Sequence, residues 1–154
     1  MSYAITNLSE CRQFENTVAN RIWEAWWKSD GHSAQEISDG VATISSTVGF
    51  PFALVAHADG EYLGHVLGIV SDLATRPDLT PWVAAFWVDP THRRKGIASA
   101  LLRSADGRFS ALGYSKIYLC AIEEKRSYYT ARRWSLIGVE QTMPVLDVFE
   151  KVLA

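Results

Sequence analysis

"WVAAFWVDPTHRRKGIASALL", residues 82–102, passes from seven consecutive apolar residues through an Asp-Pro break and three cations to a glycine, then into small and aliphatic side chains. An unbroken apolar run of this kind is what a strand buried on both faces looks like, and Asp89-Pro90 ends it. From Gly96 onward Ile97, Leu101, Leu102, Ala105, Phe109 and Leu112 share one helical face, with Gly113 as the C-terminal cap. A strand feeding a glycine turn that opens a helix makes an anion site, because the first helical turn leaves N–H groups unpaired. Gly96 has no Cβ and Ala98 only a methyl, so an anion can come close to the backbone, and Arg93, Arg94 and Lys95 add charge-assisted attraction.

Working outward, the sequence reads as an alternation of short elements. "YAITNL" has strand content, and Ser9 is the expected N-cap of a first helix that runs to Asp30-Gly31. Phe14, Val18, Ile22 and Trp26 recur every four residues, which predicts Trp26 in the core, while Trp23 and Trp27 form the adjacent row and Trp27 is expected at the surface. Ser33 and Glu36 have capping-box spacing for a second helix carrying Ile37, Val41 and Ile44, closed by Gly49 and Pro51. Asp59-Gly60 between "FALVAH" and "EYLGHVLGIV" predicts a hairpin, since both turn positions accept positive φ. "SDLATRPDLT" reads as a loop. "KIYLCAI" is a further strand, "RSYYTARRW" a short helix, and "SLIGVE" and "VLDVFEKVL" are two closing strands. The order β-α-α-β-β-β-α-β-α-β-β predicts an α/β (α+β) fold: a mixed, mostly antiparallel sheet of about seven strands flanked by about four helices, one domain over residues 1–154. Gly107 costs roughly 1 kcal/mol inside its helix, and nothing in the sequence explains it.

Composition excludes several classes. With 48% hydrophobic and 21% charged residues the chain is neither disordered nor a coiled coil, and no apolar run approaches the ~18 residues of a membrane span. The start lacks the features of a secretory signal, and two widely separated cysteines, Cys11 and Cys120, make no disulfide framework, so a reduced, cytoplasmic protein is expected. The net charge of -2 argues against nucleic-acid binding. Basic residues gather instead at residues 92–95 and again at Lys125, Arg126, Arg132 and Arg133, which suits a small anionic ligand. His57 and His65 lie in strands without metal-ligand spacing, so no metal is expected.

Val88, Pro90, Arg93, Gly96 and Ala98 fill, in register, the signature [Q/R]-x-x-G-x-[G/A] after a strand ending in V-x-P, and with it the sequence resembles the GNAT superfamily of acyl-CoA-dependent N-acetyltransferases. The hairpin followed by Gly64, the segment from "TRPDLT" to Pro90, and "VFEKVL" look like family segments in family order, so the likeness extends over nearly the whole chain. It implies acetyl-CoA as co-substrate. Backbone amides from Arg94 through Lys95, Gly96, Ile97, Ala98 and Ser99 would hold the pyrophosphate of coenzyme A, and Trp87 and Val88 would pair with the pantetheine arm where the fourth and fifth strands splay apart.

The family's second landmark, F/Y-Y-x-x-x-G-F/W, is met by Tyr128, Tyr129 and Trp134, with Arg133 where a glycine usually stands. Tyr129 then takes the place of the general acid that protonates the departing thiolate. The resemblance implies direct attack of a primary amine, on a small molecule or a protein, on the thioester, with the oxyanion met by the N–H near Val88. The central strand lacks the glutamate base that many relatives carry; His65, Asp72 and Glu123 are the candidates. In this family the first two helices wall the acceptor site, so the tryptophans there suggest an aromatic lip for a flat or cationic substrate. The alternative function is a non-catalytic acyl-CoA sensor or scaffold. No membrane partner is expected, and relatives often dimerise, so a homodimer stays open.

Overall fold

A computed structural model describes residues 2–153. The seven strands and four α-helices follow the expected order, and the strands lie in one sheet as β1-β2-β3-β4-β5-β7-β6. The chain folds as two compact units. One holds residues 2–67 and Ala85–Ala105; the other holds Gly68–Ala84 and residues 106–153.

In the first unit, β1 (Ala4–Asn7) pairs antiparallel with β2 (Phe52–Ala58), from Ala4↔His57 to Asn7↔Leu54. The expected cap at Ser9 is replaced by Asn7, whose side chain accepts from the Ser9 N–H at 3.0 Å and opens two 3₁₀ turns, Leu8–Glu10 and Arg12–Phe14, ahead of α1 (Glu15–Ile22). Phe14, Val18 and Ile22 are buried as the period requires. Trp26 is not: it is 40% exposed, close to the 38% of Trp27. The reason is a turn of π-helix over Trp23–Trp27, closed by the Lys28 N–H on the Trp23 carbonyl at 2.8 Å. An i→i+5 turn inserts one residue into the helical phase, so Trp26 rotates off the face that Ile22 ends.

The second helix, α2 (Ala34–Ser45), begins with the expected reciprocal box: Ser33 Oγ accepts from the Glu36 N–H at 3.1 Å, and Glu36 accepts in return from the Ser33 N–H. It stops at Ser45, short of Gly49 and Pro51. β3 (Glu61–Ile69) follows the Asp59-Gly60 turn, where φ is 50° and 78°. β4 (Trp82–Val88) has the predicted bounds but is only partly buried at Ala85, Phe86 and Trp87, so the both-faces expectation holds for its first half. Ala85 has φ 49°, a left-handed kink at the point where the strand enters the first unit. Ile97 and Leu101 of α3 (Ile97–Ala111) complete the first unit's core with Leu8, Val18, Val55 and Leu63.

In the second unit the start of β4 runs parallel to β5 (Lys116–Ala121) at Trp82↔Tyr118, with the Tyr118 N–H on the Pro81 carbonyl at 3.0 Å. After β5 come the short helix α4 (Arg126–Thr130) and strands β6 (Ser135–Glu140) and β7 (Leu146–Val152). β7 is antiparallel to both β5 and β6, and a register shift between Leu136 and Gly138 marks a bulge. Leu73, Trp82, Tyr118 and Val148 form the core, and the Trp82 indole N–H is satisfied by the Leu79 carbonyl at 2.7 Å. Asp147, 1% exposed, is held by both arms of Arg126 at 2.7 and 2.9 Å. Among the described residues no helix is long and apolar enough to cross a membrane.

Candidate functional site

The turn into α3 is built from two left-handed residues. Arg94 has φ 65° and Gly96 φ 82°, with Lys95 between them. Alternating hands of this kind turn successive peptide N–H groups toward a common point, which makes a concave anion nest. The Ala100 N–H is the first to reach back into the helix, bonding the Gly96 carbonyl at 3.1 Å, so Ile97, Ala98 and Ser99 contribute N–H groups that precede the helical ladder. A Cβ on Gly96 would meet no atom within 4 Å; it is the backbone hand, not crowding, that calls for glycine there. Among the described residues Arg94 and Lys95 have no ion-pair or hydrogen-bond partner, leaving two uncommitted cations beside the nest.

Arg93 is engaged at one nitrogen and over its plane. Its Nε donates to the Val88 carbonyl at 2.8 Å and its guanidinium lies 4.7 Å from the centre of the Trp87 ring, so it clasps the end of β4. The same strand end is braced again. Trp87 Nε1 donates to Asp89 Oδ1 at 2.9 Å, Asp89 is held bidentately by Arg21 at 2.8 and 3.2 Å, and the Asp89 N–H bonds the Leu63 carbonyl at 2.9 Å. Burial alone would raise the Asp89 pKa, but the hydrogen bonds from Arg21 and Trp87 bring it below the ordinary carboxylate range. Gly64 permits this packing, because a Cβ there would stand 2.7 Å from the Trp87 carbonyl oxygen. Trp26 meets the Trp87 ring edge-on at 6.2 Å, which joins the exposed aromatic row to the end of β4.

Beneath this lies a pair that periodicity hides. Tyr62 Oη and His65 Nδ1 are 2.5 Å apart, and His65 is fully buried. Burial drives its pKa down to about 3. The ring is sealed from solvent, with no face open to a substrate.

The second unit holds Tyr129. Its ring is packed by Tyr128, Phe149 and Trp134 at centroid distances of 5.1, 5.6 and 6.5 Å. Burial, with lesser contributions from Tyr128 and Cys120, pushes its phenol above the usual range. Arg133 does what the family's glycine would do: its φ is 70°, its N–H bonds the Thr130 carbonyl at 3.3 Å, and the Trp134 N–H bonds the Tyr129 carbonyl at 3.1 Å. These are the two bonds of a Schellman ending, so Tyr129 sits on a normally terminated helix. The second basic cluster is spoken for. Arg126 is bound to Asp147, and Arg132 stacks 3.6 Å from the Tyr128 ring centre and donates to the Tyr128 carbonyl.

Of the two remaining base candidates, Glu123 is exposed at the start of a 3₁₀ turn, Glu123–Lys125, where its charge acts on Arg126. Asp72 is different. It accepts from Cys120 Sγ at 3.5 Å, and loss of hydration pushes its carboxyl up to about 6 although the side chain stays open to water. Burial and the Asp72 charge raise the Cys120 thiol well above its usual range, so it is not a ready nucleophile. No group of three or more His, Cys, Asp or Glu that could hold a metal ion occurs among the described residues.

Comparison with known proteins follows the same lines. The family model described as the acetyltransferase (GNAT) family matches residues 17–132. No curated protein matches the chain by sequence. Among solved structures the chain resembles an aminoglycoside 6'-N-acetyltransferase complexed with coenzyme A, with TM-score 0.78, 12% identity, and coverage of 98% of this chain and 97% of that one. A GNAT-family acetyltransferase from Desulfovibrio desulfuricans gives TM-score 0.73 at 13% identity, covering 99% and 100%. The spermidine/spermine N-acetyltransferase of Vibrio cholerae, solved in mutant forms, gives 0.71 at 18%, covering 99% and 95%. At such identities the likeness is one of fold.

Proposed function

The chain belongs to the GNAT family of acetyltransferases, and on that premise we propose that it transfers an acetyl group from acetyl-CoA to a primary amine by direct attack on the thioester. The observation that carries the reading is the nest at Arg94 and Gly96 opening onto the first amides of α3, with Arg94 and Lys95 uncommitted beside it. A diphosphate answers both features, since it accepts from several N–H groups at once and carries the charge the cations seek. In this reading the pantetheine arm runs along Trp87 and Val88. The Val88 carbonyl is already engaged by Arg93, which holds that strand end.

Tyr129 donates toward the departing sulfur. With its pKa raised, the phenol keeps its proton at any working pH, which is the form a donor needs. Full transfer to a thiolate of ordinary pKa near ~8.5 is uphill, so the hydrogen bond forms first and the proton follows as the amide nitrogen sheds its own. The acceptor is a primary amine of the kind that the structural neighbours' names carry, aminoglycosides and polyamines among them.

Gly96→Glu tests the nest. A carboxylate beside the phosphates, on a residue forced to φ 82°, should weaken acetyl-CoA binding by about 100-fold in calorimetric titration. Binding within twofold of the unaltered chain would remove the nest from the mechanism. Tyr129→Phe should leave that binding in place while thiol release with amines slows by at least about tenfold. Unchanged turnover would remove the proton donor. Coenzyme binding without release from any amine would favour the non-catalytic sensor instead.

A further inference from the structure

The two edges of the sheet are built differently. β1 is four residues long, and a short edge offers little for another strand to join. β6 is six residues long, contains no lysine, arginine or proline, and pairs with β7 alone. Its outward N–H and C=O groups have no strand to bond among the described residues, and Leu136, Ile137 and Val139 are 39%, 40% and 41% exposed. Bare backbone groups beside branched apolar side chains are what strand addition needs. We infer that β6 is the seam of a symmetric homodimer, in which two copies of the chain join their sheets edge to edge and antiparallel. The inference is independent of the acetyl-transfer reading.

The course of β6 selects a second copy as its partner. Leu136 lies opposite Phe149 and Val139 opposite Asp147, and Phe149 and Asp147 share a face of β7. The shift between Leu136 and Gly138 therefore puts Leu136 and Val139 on one face, where a regular strand would divide residues three apart. Ser135 and Glu140, opposite Glu150 and Leu146, share the other face. Read from either end, the six residues present the same order of faces about the bulge at Ile137 and Gly138. A strand of that kind matches its own copy across a two-fold axis between these two residues, with Leu136 against the partner's Val139 and Val139 against the partner's Leu136. A bulge ordinarily spoils an edge for pairing; centred in the strand, it meets its own image.

Charge fixes the direction. Arg132 and Arg133 precede the strand, and neither has an acidic partner among the described residues. Glu140 ends it, and its charge acts on Arg76, which Asp78 already holds at 3.0 and 3.1 Å. Two carboxylates on one guanidinium leave that end net negative. Antiparallel pairing sets Glu140 opposite the partner's Ser135 and diagonal to the partner's Arg133, once at each end of the seam. A parallel approach would set arginine beside arginine and glutamate beside glutamate. A foreign strand has no cause to carry both the reversed charge order and the reversed bulge, whereas a second copy carries both.

A seam of six residues a side is small even with Met143 and Val145 exposed in the connection to β7, so the dimer forms with a Kd on the order of 10 µM. In analytical ultracentrifugation the full chain, taken from about 1 to about 500 µM, should pass from one chain per species to two and go no further. Val139→Lys places a charge at an exposed position of the seam and should raise the Kd at least about 30-fold while the circular dichroism stays that of the unaltered chain. Arg133→Glu and Glu140→Arg should each weaken self-association by about tenfold, because each sets like charges together at both ends of the seam. Mixing the two variants in equal parts should restore the Kd of the unaltered chain, since every diagonal contact is then between opposite charges. A chain that stays single up to about 500 µM overturns the inference and leaves the edge to a strand of another protein. Species that keep growing with concentration overturn the closed two-fold pair. A dimer indifferent to Val139→Lys puts the contact on another surface, and a mixture no tighter than its components overturns the antiparallel register.

Discussion

Gly64→Ala should destabilise the protein by about 3 kcal/mol, read as the shift in urea-unfolding free energy by circular dichroism. The added Cβ would lie 2.7 Å from the Trp87 carbonyl oxygen and 3.1 Å from both Cα and Cγ2 of Val88. Two of those three atoms are backbone, and the backbone there cannot drift. The Trp87 indole is tied to Asp89, Asp89 to Arg21 and to the Leu63 carbonyl, and the Val88 carbonyl to Arg93. Relief of the clash must break at least one of these ties or push β3 away. Gly107→Ala is the matching control. Nothing stands within 4 Å of a Cβ there, so the same change should stabilise by roughly 1 kcal/mol through helix propensity. A Gly64→Ala variant within about 0.5 kcal/mol of the unaltered chain would mean that the strands are not packed as described.

Lowering the pH should destabilise the protein between about 6.5 and 3 through His65. The unfolded chain takes up a proton on this imidazole as pH falls through the ordinary value of 6.5, whereas the folded chain refuses it down to about 3 because the ring is buried. The stabilisation is therefore complete above 6.5 and lost progressively below it. The gap is worth on the order of 5 kcal/mol at its low-pH end, enough to unfold many domains of this size. His65→Gln keeps a partner for the Tyr62 hydroxyl but cannot titrate. It should be less stable at pH 7.5 and lack the loss toward pH 4 that the imidazole imposes, measured as urea-unfolding free energy against pH. Asp72 acts with the opposite sign. Its carboxyl, raised to about 6 from the ordinary 3.8, favours the folded state as pH falls toward 4, so the variant's curve should rise over that interval, and in the unaltered chain the carboxyl offsets part of the imidazole's loss. A slope in His65→Gln equal to that of the unaltered chain would sink the assignment.

Residues 82–102 gave the strand, the break, the glycine turn and the helix directly, because each signal is local: an apolar run, an Asp-Pro, a left-handed position, an apolar face of helical period. The Ser33–Glu36 box was readable for the same reason, both partners lying within one turn. Asn7 and Ser9 are equally good caps by type, and only the backbone course out of β1 selects between them. Trp26 leaves the face its spacing assigns because a π turn has no side-chain signature in the sequence. Strand alternation puts residues three apart on opposite faces, so the Tyr62–His65 contact could not have been anticipated from β3 alone. The Asp72–Cys120 pair and the bracing of β4 by Arg21 are contacts between residues far apart in sequence, which spacing cannot reach. The charge of Arg93 is visible in the sequence, whereas the carbonyl and the ring beside it are not.

Arg133 shows how the fold can absorb an odd residue. Holding an L side chain in the left-handed region costs about 1 kcal/mol in the native chain, while glycine at the same place would give the denatured chain a comparable surplus of freedom. The second offsets part of the first, and the turn itself is drawn by main-chain hydrogen bonds that any residue can make, so the helix bearing Tyr129 keeps its terminus with arginine in place.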